Sequence, residues 1–163
     1  MVEHARQTKY GLPRATYLLL LLNSASKKGI EGRTRLEKLV FLMQKRLIED
    51  LKWGITSNTY KFRAYNYGPF SEEVLDDLTS LQMLKLVEVE GEEQENQKFV
   101  ITDKGREVVD KLVRNANVSH NLANAIKHIM SSFGELPLDK LVERVYKEYP
   151  DYTVNSLIRS RYL

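Results

Sequence analysis

The chain has 163 residues, 42% of them apolar and 29% charged, which is the make-up of an ordinary globular protein with its own hydrophobic core. It has no cysteine, which excludes disulfides, thiolate catalysis and cysteine-based zinc sites. The net charge of +3 hides a segregated distribution: residues 1–65 hold 13 Lys/Arg against 5 Asp/Glu, residues 66–103 hold 2 against 10, and residues 104–163 hold 10 against 7.

Residues 1–14 are polar, with Gly11 and Pro13 as breakers, and read as a flexible arm. A helix is expected over Ala15 to Ser26. Its run Tyr17–Leu22 is very apolar but far shorter than the roughly 20 residues a membrane span needs, so it reads as a helix buried on nearly all sides. With no targeting segment visible, a soluble cytoplasmic protein is expected. Lys27 to Gly32 reads as a turn. The next helix opens at Thr34, where Glu37 three residues on completes a capping-box pattern. At 100° per residue, Leu36, Leu39, Val40, Met43 and Leu47 share one face. Arg35, Lys38, Lys45 and Arg46 share another, so an amphipathic helix with a basic outer face is expected.

Trp53, Gly54, Ser57 and Asn58 mark a connection. Tyr60–Arg63 alternates like a short strand, and Tyr65 to Phe70 reads as an aromatic turn. Ser71 is the expected N-cap of a helix to about Leu84, with Glu72 and Glu73 in the first turn, where the helix dipole favours anions. Leu86–Glu90 and Lys98–Thr102 read as strands around the polar loop Gly91–Gln97. Helices are expected from Thr102 or Asp103 to about Arg114, over 118–133 and through Leu138–Tyr149, with a short last helix around Val154, Leu157 and Ile158.

This order is the winged-helix plan: a mainly helical domain over 15–115 with a three-stranded wing, followed by a helical extension over 116–163. An extension of this kind packs either on its own domain or on a dimer partner, because both need an apolar stripe.

Arg33–Gln44, Tyr60–Phe62, Tyr67-Gly-Pro-Phe-Ser71 and Phe99–Gly105 together resemble the YwgA-like group and, more distantly, the Panacea domain of SocA-like antitoxins. The resemblance spans roughly 15–115. It implies a winged helix acting through protein partners, and it carries over no contact residue.

Enzymatic chemistry finds little support. His120 and His128 are eight apart, not the i, i+4 pair of a helical metal site, and Gly68-Pro69 is too short for a phosphate loop. No metal, cofactor or small-molecule substrate is expected. A standard winged helix places its third helix in the major groove. Here that helix carries Glu72, Glu73, Asp76 and Asp77, and the wing adds Glu92 and Glu93, a surface that DNA phosphates repel. The leading expectation is therefore a non-catalytic regulatory module that binds a protein, or a second copy of itself as a homodimer, through this acidic face. The alternative is a DNA-binding regulator using Arg33, Arg35, Lys38, Lys45 and Arg46.

Overall fold

The computed structural model describes residues 12–47, 59–93 and 96–162. Residues 1–11 of the expected arm and the connection at Trp53, Gly54, Ser57 and Asn58 lie outside the described residues. The main elements are α1 (Arg14–Ser24), β1 (Ile30–Glu31), α2 (Arg33–Lys45), β2 (Arg63–Tyr65), β3 (Gly68–Phe70), α3 (Glu72–Met83), β4 (Val87–Glu90), β5 (Lys98–Ile101), α4 (Asp103–Arg114), α5 (His120–Phe133) and α6 (Leu138–Glu148). Short 3₁₀ turns lie at Ser26–Lys28, Pro150–Thr153 and Arg159–Arg161. This is a winged helix with added C-terminal helices.

The wing sheet is antiparallel, in the order β1-β5-β4. Ile30 pairs with Phe99, and Val87, Val89 and Glu90 pair with Ile101, Phe99 and Lys98. Alternation sends Ile30, Val87, Phe99 and Ile101 into the core, while Glu88, Glu90 and Glu31 face solvent. The third strand of this sheet is thus Ile30–Glu31, inside the segment read as a turn. The strand expected at Tyr60–Arg63 begins only at Arg63, and it forms a separate hairpin with the aromatic segment, pairing Arg63 with Phe70 and Tyr65 with Gly68.

Helix α1 is enclosed as its composition requires, with Leu18 to Leu22 all buried. Fully burying one leucine contributes about 1.5–3 kcal/mol, so this single helix anchors much of the core. Helix α2 departs from expectation. All eight residues from Leu36 to Met43 are buried, Glu37 and Lys38 included. Of the expected basic face, Lys38 is buried and Arg35, Lys45 and Arg46 are half-buried, because β1, β3, α5 and α6 all pack around the helix. Its Thr34–Glu37 capping box is also absent: the N-cap is Gly32, with no side-chain cap.

The extension packs on the same core, to which α5 and α6 supply Leu122, Ile126, Ile129, Leu141 and Val145. Around Phe41, the rings of Phe62, Tyr149 and Tyr152 stand edge-to-face at 4.9–5.1 Å. The expected last helix around Val154–Ile158 does not form. Val154 and Leu157 are exposed, so no apolar face is there to be buried by winding that segment.

Candidate protein-interaction surface

The basic residues of α2, and Arg46 just after it, all have partners within the molecule. Arg35 Nη1 donates to the carbonyls of Gly134 (3.1 Å) and Leu136 (2.6 Å), tying α2 to the C-terminal end of α5, where the helix dipole favours a cation. Lys38 is buried and its Nζ donates to the Pro69 carbonyl at 3.0 Å. Lys45 Nζ sits over the rings of Phe41, Tyr149 and Tyr152 at 5.1–5.8 Å. Arg46 pairs with Glu148 at 2.7 Å and lies over Phe133. Arg33 Nε donates to Gln97 Oε1 at 3.0 Å. The five residues do not assemble into one open cationic face.

The acidic residues divide into two sets. Glu73 and Asp77, one turn apart on α3, clamp Arg14 of α1 between them. Asp77 also accepts from the Tyr60 hydroxyl at 2.7 Å, and Glu73 from the Lys61 N–H at 2.8 Å. That N–H bond, more than the nearby Arg14, holds the Glu73 carboxyl below its usual range. Burial, then the Asp77 carboxylate, keeps the Tyr60 phenol protonated well above its usual range. This pair is structural: it fixes the face of α3 against α1. Glu72, Asp76, Glu92 and Glu93 are exposed. Glu72 pairs with Arg63 at 2.7 Å, and Glu93 accepts from Asn96. Glu88 and Glu90 on the outer face of β4 extend this acidic surface into the wing.

Two apolar residues complete the surface. Met83 is 79% and Leu84 58% exposed, at the end of α3 where the chain turns into β4. Sequence reasoning passed over them. The signal was present: Met83 is two residues, or 200°, past the inward Leu81, and so on the outer side of the helix.

Behind α3 lies a buried polar junction. Glu37 Oε2 accepts from the Ser71 N–H at 3.0 Å, while Glu37 Oε1 and Ser71 Oγ have no partner among the described residues. Enclosure raises the Glu37 carboxyl to about 7, against the lowering effects of the Ser71 N–H, Lys38 and Arg33. Ser71 is the N-cap residue, as expected, but its side chain makes no cap bond. Instead a glutamate from another helix fills the role that the third residue of a capping box normally fills. Gly68, at φ +94°, presses on Tyr146 of α6, and a Cβ there would meet that ring at 2.8 Å. The Gly-Pro-Phe-Ser motif is therefore a seat: its glycine, carbonyl and N–H each hold a specific partner.

A cleft of about 650 Å³ between α1, α2 and α5 is lined by charges of both signs, among them Lys28, Glu31, Lys127 and Glu135, and gathers no convergent set. Among the described residues no group of three or more histidines, aspartates or glutamates is placed to hold a metal. No described helix is long and apolar enough to cross a membrane.

Comparison with known proteins gives one family match: antitoxin SocA-like, Panacea domain, over residues 36–151. It carries the Panacea part of the resemblance and reaches past residue 115 to take in α5 and α6. That extent agrees with the packing, since Gly68 and Arg35 both find their partners in the C-terminal helices. No curated protein matches the chain.

Proposed function

The chain belongs to the SocA-like antitoxin, Panacea-domain family, and from that premise we propose that it is a non-catalytic module that binds and restrains a protein partner through its acidic third helix and wing. The observation that carries this reading is the contrast between the two charged sets. Glu72, Asp76, Glu92 and Glu93 face solvent, whereas Arg35, Lys38 and Arg46 are committed to intramolecular partners. Long-range attraction then selects a partner with a basic surface and speeds its encounter. Glu73 and Asp77, by holding Arg14, orient α3 without meeting the partner themselves. DNA binding through α2 requires breaking the contacts that seat the C-terminal helices.

The test is charge reversal. A chain carrying Asp76→Lys, Glu92→Lys and Glu93→Lys loses the protein complexes that the unaltered chain forms, while Glu73 and Asp77 stay intact to preserve the fold. The unaltered chain gives no gel shift with random duplex DNA at low salt. A salt-sensitive shift, or complexes that survive the triple reversal, overturns the reading.

A further inference from the structure

We propose that the chain assembles head to tail with copies of itself: the aromatic hairpin β2–β3 and the segment after α6 in one copy seat on the end of α3 and the start of β4 in the next. Among the described residues seven large apolar side chains are exposed, and six of them gather in two places. Met83 and Leu84 form one. Tyr65, Tyr67, Val154 and Leu157, between 39% and 70% exposed, form the other. These four belong together because segment 155–157 runs along the hairpin: Leu157 N–H donates to the Asn66 carbonyl at 2.8 Å, and Asn155 Nδ2 to the Ala64 carbonyl at 3.3 Å. Apolar residues exposed singly are ordinary, whereas contiguous ones mark contact surfaces. Tyr65 is also held in place, with the Arg63 guanidinium 4.3 Å and the Phe70 ring 5.2 Å from its ring centre, so it loses little side-chain freedom on contact. Tyrosine and arginine are the side chains that most often carry the energy of a protein interface.

Charge chooses the occupant. Residues 61–70 and 150–162, which carry the hairpin patch, expose Lys61, Arg63, Arg159 and Arg161 against one carboxylate, Asp151. Residues 72–93, which carry the other patch, expose Glu72, Asp76, Glu88, Glu90, Glu92 and Glu93 against Lys85. Lys104 adds a second cation there, its Nζ on the Leu84 carbonyl at 3.2 Å. The chain thus supplies both halves of one contact, apolar centres with rims of opposite sign. It cannot join them within one molecule. Phe70 and Ser71 lead the hairpin into the first turn of α3, where Arg63 pairs with Glu72, and a helix rises about 1.5 Å per residue, which puts Met83 about 16 Å further on. Pairing either patch with its own copy across a two-fold axis brings like charges together. Only the hairpin patch of one copy on the α3 end of another matches both centre and rim. The surface so covered is the one assigned above to a basic protein partner, so assembly and partner binding exclude one another.

The experiment is light scattering on the full chain over a concentration series. The expected mass climbs past that of a dimer, because a head-to-tail contact leaves one patch of each kind free at the ends of every assembly. Leu157→Asp and Leu84→Asp each put a carboxylate into one patch at an exposed position, and circular dichroism checks that both variants keep the fold. Each variant alone stays monomeric at concentrations where the unaltered chain assembles. Mixed in equal amounts they form a dimer and nothing larger, since the intact hairpin patch of the Leu84→Asp chain takes the intact α3 end of the Leu157→Asp chain. An unaltered chain that is monomeric at every concentration, a result that needs no variant, overturns the proposal and leaves the partner reading standing. A dimer that either variant abolishes and mixing does not restore overturns it in favour of a two-fold contact. Assembly that either variant keeps overturns the choice of these two patches.

Discussion

Glu37 shows how far one side chain's role is set by distant sequence. Its folded-state acidity, raised to about 7 from an ordinary 4.5, means that folding favours the protonated form. The stability this supplies is complete below pH 4.5, declines as pH rises from there, and is gone above about 7. Glu37→Gln keeps an acceptor for the Ser71 N–H and cannot ionise. Its stability in urea should therefore fall less between pH 5 and 8 than that of the unaltered chain, by on the order of 1–3 kcal/mol. Ser71 and Thr102 form a second test. Thr102 accepts from Gly105 N–H at 3.0 Å and donates to the Lys85 carbonyl at 2.7 Å, so Thr102→Ala should cost about 1–2 kcal/mol. Ser71→Ala removes a hydroxyl with no partner among the described residues and should cost less than about 0.5 kcal/mol in the same urea titrations. The Thr102 helix start was legible because its bonding is local. The partner of Glu37 was not, because local spacing offered Thr34 while the actual donor lies 34 residues on.

Elements were legible in proportion to the length of their pattern. The wing strands β4 and β5 alternate over four residues each and stand where the sequence places them. β1 has two residues, too few for any alternation, and only its pairing with Phe99 and Lys98 makes it a strand. The α2 pattern misled for a different reason. Periodicity separates apolar from charged positions, but it cannot register that a second layer of helices covers the charged side. Arg35 is the clearest case, reaching two carbonyls about 100 residues away. Arg35→Ala should destabilise the fold by about 1–3 kcal/mol in denaturant titrations, because two carbonyls lose a charged donor. The same reasoning predicts a larger loss than for Lys28, whose exposed pairing with Glu135 is a surface contact screened by solvent.

At the scale of the whole molecule, the block charges gave the sign of each region but not which charges face outward. Arg14, from the basic block, is shared between Glu73 and Asp77 from the acidic one. The fold class was readable from element order, while the union of the extension with the winged helix was not, since an apolar stripe does not name its partner. That union predicts that a chain ending at residue 115 exposes α2 and the seat of Tyr146 and loses cooperative unfolding by circular dichroism, whereas the intact chain unfolds in a single transition. It also has a temporal meaning. A ribosome adds about 5–20 residues each second, and the central helix waits for partners from the last third of the chain before it is enclosed. Until Tyr146 emerges, the nascent protein has its wing residues but lacks the support behind them. The surface carried by α3 and the wing is therefore braced only once residue 146 has emerged, and a chain stopped before it should be aggregation- and protease-prone rather than partly folded.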